Sequence, residues 1–124
     1  MSTFEVIEKL KIFLGNQVNN LAINNPLISF SKPLIIRMIN NNMYKAQGFL
    51  SMLADEKGDI DTKTLIPEMI QSVMSTQPFT YNTIFLGDLE IGGGCIKLNI
   101  PLTNNQLVLS KPDFDMLKDL FNCN

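Results

Sequence analysis

Residues 88–98 decide the fold class of this chain, and they read DLEIGGGCIKL. Two short segments in which apolar side chains alternate with charged ones flank three consecutive glycines. A period of two is typical of a β-strand with one buried face, and glycine between two such segments predicts a β-hairpin. A phosphate-binding loop would need the glycines to lead into a helix and to end in Gly-Lys-Ser/Thr, and neither holds here. We therefore interpret Gly92-Gly93-Gly94 as a hairpin turn.

The register of this hairpin follows from the choice of loop residues. With Gly92-Gly93 as a two-residue loop, Leu89 lies opposite Ile96. The same register places Asp88 opposite Lys97, so an apolar pair faces one side of the sheet and an acid–base pair faces the other. We predict this register because both cross-strand pairs are favourable.

A second hairpin is predicted at Asn104-Asn105, because asparagine tolerates the left-handed backbone conformation that tight loops require. This loop sets Leu102 against Leu107. It also sets Ile100 against Leu109, so the pairing again matches the apolar pattern of the two strands.

Upstream of the glycine hairpin, the apolar alternation changes phase between Leu86 and Leu89. A β-bulge accounts for such a one-residue slip, and so does a tight turn at Gly87-Asp88. Both alternatives stay open from the sequence. Either one makes the segment after Pro78 an antiparallel meander of short strands.

Before Thr76 the apolar residues recur with helical spacing instead. The first helix is predicted to begin after Ser2, which forms a capping box with Glu5. It is predicted to stop at Asn24-Asn25-Pro26, because a residue that precedes proline avoids the α region. Its apolar stripe consists of Ile7, Leu10, Leu14, Val18 and Leu21.

A second helical region spans residues 33–55, with Pro33 near its start, where a missing N–H costs little. The run Asn40-Asn41-Asn42 is a poor helix former. The region is therefore either one bent helix or two helices that meet at the asparagines.

Two further helices follow from capping signals. The third is predicted over residues 64–75, with Thr64 as its cap and Pro67 in its first turn, where an N–H would be unpaired anyway. The last begins at Ser110, with Asp113 as the reciprocal cap. Its inner face is predicted to consist of Phe114, Leu117, Leu120 and Phe121.

This order of elements predicts an α+β fold, with an N-terminal helical half of three to four helices, an antiparallel β-meander and a short C-terminal helix. The 124 residues suit a single domain, 1–124. The helical part covers residues 1–76, and the meander with the C-terminal helix covers residues 79–122. An apolar content of 45% supplies a core without disulfides or metals.

The composition excludes several classes of function. The net charge is −2, whereas a general nucleic-acid binder has a surplus of basic residues. The chain contains no histidine, so an imidazole base or metal ligand is excluded. Cys95 and Cys123 fit no zinc pattern, and we expect free thiols in a reducing compartment. The first residues lack a secretory signal and residues 26–39 are too polar to span a membrane, so we expect a cytoplasmic protein.

The helical half carries more apolar side chains than one small sheet can cover. Exposed apolar patches usually mark an interface, and methionine suits irregular binding surfaces. We therefore predict a non-enzymatic interaction or assembly module that associates with itself or docks on another protein. The interface candidates are Leu27, Ile28, Phe30, Leu34, Ile36 and Met43.

The first alternative function is a protein that sequesters a small ligand, such as a nucleotide signal of host defence. Such a site needs a pocket with a few convergent polar groups. The candidate ligand-binding residues are Tyr81, Asn82, Lys97 and Asn99.

The second alternative is a carboxylate- and metal-dependent enzyme that uses the acidic turn 55–61, above all Asp59 and Asp61. The spacing of Gly58 and Ile60 matches part of a calcium-binding EF-hand loop. The first and last ligands of that loop are absent, however, and a lysine takes the place of another. We predict no metal site, no cofactor and no catalytic residue.

Residues 54–61, Pro78-Phe79-Thr80 and Gly92-Gly93-Gly94 follow one another in an order that resembles small uncharacterised proteins of tailed phages and prophages of low-GC bacteria. A composition rich in asparagine and poor in alanine and arginine fits an AT-rich genome. The resemblance covers about two-thirds of the chain and includes no catalytic motif. It implies a phage- or mobile-element-encoded accessory protein in the host cytoplasm, and it assigns no residue a role.

Overall fold

The computed structural model describes residues 1–21, 26–83, 87–99 and 106–123. Three helices come first in this part of the chain, then four strands, then a fourth helix. This order confirms the predicted α+β fold, with its antiparallel meander and short C-terminal helix. The elements are α1 (Thr3–Asn19), α2 (Pro26–Leu53), α3 (Thr62–Ser75), β1 (Phe79–Thr83), β2 (Gly87–Gly92), β3 (Cys95–Asn99), β4 (Gln106–Leu109) and α4 (Lys111–Leu120).

Helix α1 begins where its capping signal predicts. The Ser2 hydroxyl accepts a hydrogen bond from the Glu5 backbone N–H at 3.1 Å and so satisfies one of the donors that a helix N-terminus leaves unpaired. The helix ends at Asn19, earlier than the stop predicted from Pro26. The buried Lys32 of α2 donates from its Nζ to the Asn19 carbonyl oxygen at 3.0 Å, which places a cation at the negative end of α1.

Helix α2 is a single helix over Pro26–Leu53, which decides between the two alternatives. A proline in the first position needs no N–H partner and has a backbone angle suited to a helix. The prediction that Pro33 lies near the start is wrong, because Pro33 lies inside the helix. Ile35, Ile39 and Leu50 are buried along one side, and this tertiary packing holds the helix together across the asparagine run.

Helix α3 begins at Thr62, two residues before the predicted start at Thr64. The Thr64 hydroxyl does not cap the helix, because it donates to Asp61 Oδ2 at 2.7 Å and Asp61 occupies the N-cap position. Pro67 consequently lies in the second turn rather than the first. Thr62 and Ile66 are both buried, so the inward side of α3 includes its first residue.

The four strands form one antiparallel sheet in the order β1-β2-β3-β4. The prediction of a turn at the three glycines is confirmed, but its register is wrong by two residues. Leu89 lies opposite Leu98 rather than Ile96. The loop is therefore Gly93-Gly94 rather than Gly92-Gly93.

Both registers preserve the alternation of faces, which is why the apolar pattern did not distinguish them. Lys97 lies opposite Glu90 rather than Asp88, so an acid–base pair persists with a different acid. The loop glycines have φ angles of 62° at Gly93 and 83° at Gly94. A type I′ hairpin turn needs a positive φ at both of these positions.

The tip of the glycine hairpin is hydrogen-bonded to the end of α3. The Gly93 N–H donates to the Thr76 carbonyl oxygen at 2.8 Å, and the Gly94 N–H donates to the Val73 carbonyl oxygen at 3.2 Å. Carbonyl groups at a helix C-terminus have no partner within the helix. The hairpin therefore supplies donors that α3 lacks, and this contact positions the sheet against the helix.

The predicted hairpin at Asn104-Asn105 is wrong as well. Leu109 lies opposite Ile96 rather than Ile100. The two strands are connected by residues 100–105, which lie outside the described residues. Both apolar pairs predicted for that hairpin are therefore replaced. The four-residue shift again keeps Leu107 and Leu109 on their predicted face.

Strands β1 and β2 pair regularly as far as Gly87, so no bulge interrupts β2 between Gly87 and Ile91. Gly87 lies opposite Thr83, and Asp88 lies opposite Asn82. A tight turn at Gly87-Asp88 is therefore wrong, because both residues belong to β2. The connection is made by residues 84–86, which lie outside the described residues.

Helix α4 begins as predicted. The Ser110 backbone N–H donates to Asp113 Oδ2 at 2.9 Å, which is the reciprocal bond of a capping box. Its predicted inner face is confirmed: Phe114 and Phe121 are buried, and Leu117 and Leu120 pack against the same cluster.

Two clusters of buried side chains form the core. The larger one joins all four helices to β4, and the smaller one joins α1 and α2 to β3 and β4. The larger cluster consists of Val6, Ile7, Phe13, Leu50, Ile60, Ile66, Ile70, Leu109, Phe114 and Phe121. The smaller consists of Val18, Ile35, Ile39, Leu98 and Leu107.

Candidate interaction surfaces

The six predicted interface residues have different surroundings. Leu34 is 43% exposed on α2, as an interface residue requires. Ile36 and Met43 pack against the buried clusters, so they are partly core residues rather than the exposed ones that the prediction assumed. The side chains of Leu27, Ile28 and Phe30 lie outside the described part of the structure.

Large apolar side chains are exposed along the last turns of α2, where the sequence pattern did not place an interface. Tyr44 is 66% exposed, Phe49 64% and Met52 82%. Phe49 follows the helical apolar spacing as well as its neighbour Leu50 does, but Leu50 is buried. Adjacent residues on a helix point about 100° apart, so a narrow buried stripe leaves one of them in solvent.

Helix α1 extends this exposed surface. Phe4 and Ile12 are exposed on α1, eight residues and about two turns apart. The Lys11 Nζ lies 4.9 Å from the centre of the Tyr44 ring, and this cation–π contact joins α1 to α2. We give the name α1–α2 face to the exposed apolar residues of these two helices, Phe4, Ile12, Tyr44, Phe49 and Met52. On α2, Tyr44 and Phe49 are about 140° apart around the helix, and Met52 lies between them.

Charged residues near the α1–α2 face are segregated by helix. Helix α1 presents the acids Glu5 and Glu8, whereas α2 presents the bases Arg37 and Lys45. Lys11 of α1 forms an ion pair with Glu8 at 3.3 Å, so this base is paired within its own helix. The same ion pair neutralises Glu8, so Glu5 is the acid of α1 that remains beside the basic residues of α2.

The four predicted ligand-binding residues are split between the two faces of the sheet. Tyr81 lies opposite Leu89 on the apolar face. The other three, Asn82, Lys97 and Asn99, belong to the polar face. Asn99 Oδ1 already accepts a hydrogen bond from a side chain of β4 at 3.0 Å. Tyr81 therefore does not share a face with the other three candidates, because successive residues of a strand point to opposite faces.

The apolar face of the sheet is covered at β4 but not at β1. Tyr81 shares a row of cross-strand neighbours with Leu98 and Leu107. Both leucines are buried, whereas Tyr81 is 59% exposed. In the adjacent row Leu109 is buried and Phe79 is 48% exposed. Strand β1 is thus an edge strand whose inner side chains face solvent.

The acidic turn 55–61 uses one carboxylate to hold its own backbone. Asp55 Oδ1 accepts hydrogen bonds from the N–H groups of Lys57 at 2.8 Å and Asp59 at 3.0 Å. An aspartate that bonds its own backbone in this way stabilises a tight turn. Among the described residues, no group of three or more acidic or cysteine side chains is arranged to hold a metal ion.

A groove of about 370 Å³ lies between α3 and α4. Its apolar floor includes Ile70 and Phe114, both buried. Lys111 and Lys118 border the groove with Asp115 between them. Residues seven apart share one side of a helix, so the spacing of the two lysines was a signal for this site. Sequence reasoning missed the groove because α3 and α4 are distant in the chain.

Both cysteines are free thiols, as predicted. Cys95 is half-buried at the first position of β3. The Cys123 Sγ donates to the Thr62 carbonyl oxygen at 3.4 Å, so this thiol contacts the start of α3. Neither thiol belongs to the exposed apolar surface.

No protein-family model, curated protein or solved structure matches this chain. Residue roles are therefore assigned from the geometry of the chain itself. Within the described ranges, no helix has both the length and the apolar content that crossing a bilayer requires.

Proposed function

We propose that this chain is a non-enzymatic assembly module that self-associates through the α1–α2 face. The supporting observation is the exposure of Tyr44, Phe49 and Met52, at 66%, 64% and 82%, along one length of α2. Tyrosine, phenylalanine and methionine are enriched at the buried centres of protein interfaces. Covering a large apolar side chain contributes about 1.5–3 kcal/mol, so these residues supply several kcal/mol toward association.

The charge distribution favours a second copy of the same chain as the occupant. Helix α1 presents Glu5, and α2 presents Arg37; both are exposed. Lys9 of α1 is directed away from this face, because its Nζ donates to a carbonyl at the end of α4 at 3.0 Å. In a two-fold interface the same surface meets itself, so α1 of one protomer lies along α2 of the other. The acidic Glu5 of each protomer then lies on the helix that faces the basic α2 of the other, and this charge complementarity favours that orientation.

The proposed setting is a phage or mobile element, with the chain acting as an accessory protein in the host-cell cytoplasm. The support for it is the resemblance carried by residues 54–61 and Gly92-Gly93-Gly94, together with the AT-biased composition. The neighbouring genes test this setting. Phage genes on both sides are the expected result, and a locus of unrelated housekeeping genes contradicts it.

Equilibrium sedimentation tests the self-association. The unmodified chain is expected to exceed the monomer mass at tens of micromolar. Met52→Glu is expected to lower the average mass, because it buries an unpaired charge in the interface. Met116→Glu is the matched control, since Met116 is exposed on α4 and lies outside the α1–α2 face. A strict monomer for the unmodified chain, or an equal loss of mass in both variants, contradicts the proposal.

A second candidate function, sequestration of a small anionic ligand, is supported by the groove between α3 and α4. Lys111 and Lys118 border an apolar floor that includes Ile70 and Phe114, and this combination suits a nucleotide. Thermal unfolding across a panel of nucleotides tests it. Stabilisation that disappears in the Lys111→Glu/Lys118→Glu variant supports sequestration, and no stabilisation by any nucleotide contradicts it.

A further inference from the structure

Among the strands that the structure describes, β1 (Phe79–Thr83) has a neighbour on one side only. An edge strand presents a row of unpaired backbone N–H and C=O groups, and another extended strand satisfies that row. Natural edge strands are commonly protected by a lysine or a proline within the strand. Strand β1 reads FTYNT, so it contains neither of these residues and is rich in residues that favour strands.

The turn between β2 and β3 determines which backbone groups of β1 face the open edge. Gly92 and Cys95 flank a two-residue turn, so they form a hydrogen-bonded pair. Hydrogen-bonded and non-hydrogen-bonded pairs alternate along a strand, so Leu89 directs its backbone groups toward Tyr81 of β1. The residues on either side of Tyr81 must then direct their N–H and C=O groups toward the open edge.

We propose that β1 pairs antiparallel with β1 of a second copy, with the two Tyr81 residues facing each other on the two-fold axis. Tyr81 is the central residue of the strand, so this register pairs all five residues. Thr80 of one copy lies opposite Asn82 of the other, and these residues exchange backbone hydrogen bonds on each side of the axis. The exposed rings of Phe79 and Tyr81 gain contacts with the added strand.

Self-complementarity favours a second copy over an unrelated peptide. Strand β1 carries no charge, so its antiparallel pairing with itself brings no like charges together. Asp88 and Glu90 on β2 are separated from β2 of the other copy by three strand spacings, about 14 Å, which exceeds the screening length at physiological salt. The other edge strand, β4, is less suitable because Leu107 and Leu109 are already buried.

This pairing goes beyond the proposed function, because β1 belongs to the sheet and lies outside the α1–α2 face. Two different two-fold interfaces on one protomer link copies into an assembly larger than a dimer. Loss of either interface alone leaves a dimer, and loss of both leaves a monomer.

A cysteine at position 81 tests the register. Across a non-hydrogen-bonded antiparallel pair the Cα atoms lie about 4.5 Å apart, which is within disulfide range. In a C95S/C123S background, Tyr81→Cys is expected to form a covalent dimer under mild oxidation. Thr80→Cys is the matched control, because its diagonal distance to the second copy, about 7–8 Å, exceeds disulfide reach. The pairing is overturned if Tyr81→Cys forms no covalent dimer. It is also overturned if Thr80→Cys forms as much covalent dimer as Tyr81→Cys does.

Sedimentation of four proteins separates the two interfaces: the unmodified chain, Met52→Glu, Tyr81→Lys and the double variant. Tyr81→Lys places like charges on the axis, and the exposure of Tyr81 keeps the fold intact, which circular dichroism checks. The expected average masses are above dimer, dimer, dimer and monomer. An unchanged mass with Tyr81→Lys overturns the β1 pairing. An unchanged mass with Met52→Glu contradicts only the proposed function.

Discussion

The Lys32 Nζ of α2 lies 3.0 Å from the Asn19 carbonyl oxygen at the end of α1. The same ammonium group also donates to the Leu21 carbonyl oxygen at 3.0 Å, and the Lys32 side chain is buried. A buried cation is costly unless it is hydrogen-bonded, and the negative end of a helix supplies both acceptors and a favourable field. This contact therefore ends α1 and ties it to α2.

Lys32→Met tests this contact because methionine keeps an unbranched side chain but has no donor. Two carbonyl groups lose their partner, so the free energy of unfolding is expected to fall by about 1–3 kcal/mol in urea denaturation. Lys63→Met, at an exposed position on α3, is the control and is expected to change stability by less than about 0.5 kcal/mol. Equal stability of the two variants would mean that water replaces Lys32 at no cost.

Gly92→Ala and Gly48→Ala are expected to have opposite effects on stability. At Gly92 the φ angle is 121°, and an added Cβ would lie 2.8 Å from the Gln77 carbonyl oxygen and 2.9 Å from the Pro78 Cα. The free energy of unfolding is expected to fall by about 2–4 kcal/mol, because neither backbone segment yields easily.

Gly48 lies exposed in α2, and beyond the backbone of its own helix an added Cβ would meet no atom within 4 Å. Gly48→Ala is expected to raise the free energy of unfolding by about 0.5–1 kcal/mol. Chemical denaturation of both variants measures the difference. A gain in stability from Gly92→Ala would disprove the close approach of the hairpin to residues 77 and 78.

Asp113→Ala is expected to destabilise α4. It removes the acceptor of the Ser110 N–H, so the free energy of unfolding is expected to fall by about 0.5–2 kcal/mol, measured by thermal unfolding. Asp115→Ala removes the same charge from the next turn and is the control, with an expected change within about 0.5 kcal/mol. If both variants lose the same stability, charge rather than the cap is responsible.

Asp55→Asn and Asp55→Ala separate a structural carboxylate from a metal ligand. The amide oxygen of asparagine still accepts the Lys57 and Asp59 N–H groups, whereas alanine accepts neither. Asp55→Ala is expected to cost about 1–3 kcal/mol, and Asp55→Asn less. Melting temperatures are expected to be the same in calcium and in EDTA for the unmodified chain and both variants. A calcium-dependent rise that Asp55→Asn abolishes would favour a metal site in the turn 55–61.

Features that depend on near neighbours in the chain were predictable from the sequence. Ser2 and Glu5 are three residues apart, as are Ser110 and Asp113, and each pair forms a predicted capping bond. Strand register depends on the loops instead. The three consecutive glycines permit two positions for the turn, and both preserve the alternation of faces. In the observed turn, the Gly93 N–H donates to a carbonyl oxygen at the end of α3. The apolar pattern contains no information about that contact.

Exposure was harder to predict than secondary structure. Phe49 and Leu50 both fit the helical apolar spacing, yet only Leu50 is buried. Which side of α2 faces the core depends on where α1 and the sheet lie, and periodicity does not contain this information. Tyr81 shows the same effect in the sheet: it lies on the apolar face, yet it is exposed because β1 lies at the uncovered edge.

The hydrogen bonds from Gly93 and Gly94 to the end of α3 couple a helix to a hairpin. The two amide protons stay protected from exchange with solvent only while the last turn of α3 is in place. Their exchange rates should therefore follow those of α3 rather than those of an independent hairpin. The sheet and α3 then open as one cooperative unit, and two glycine amides report on both.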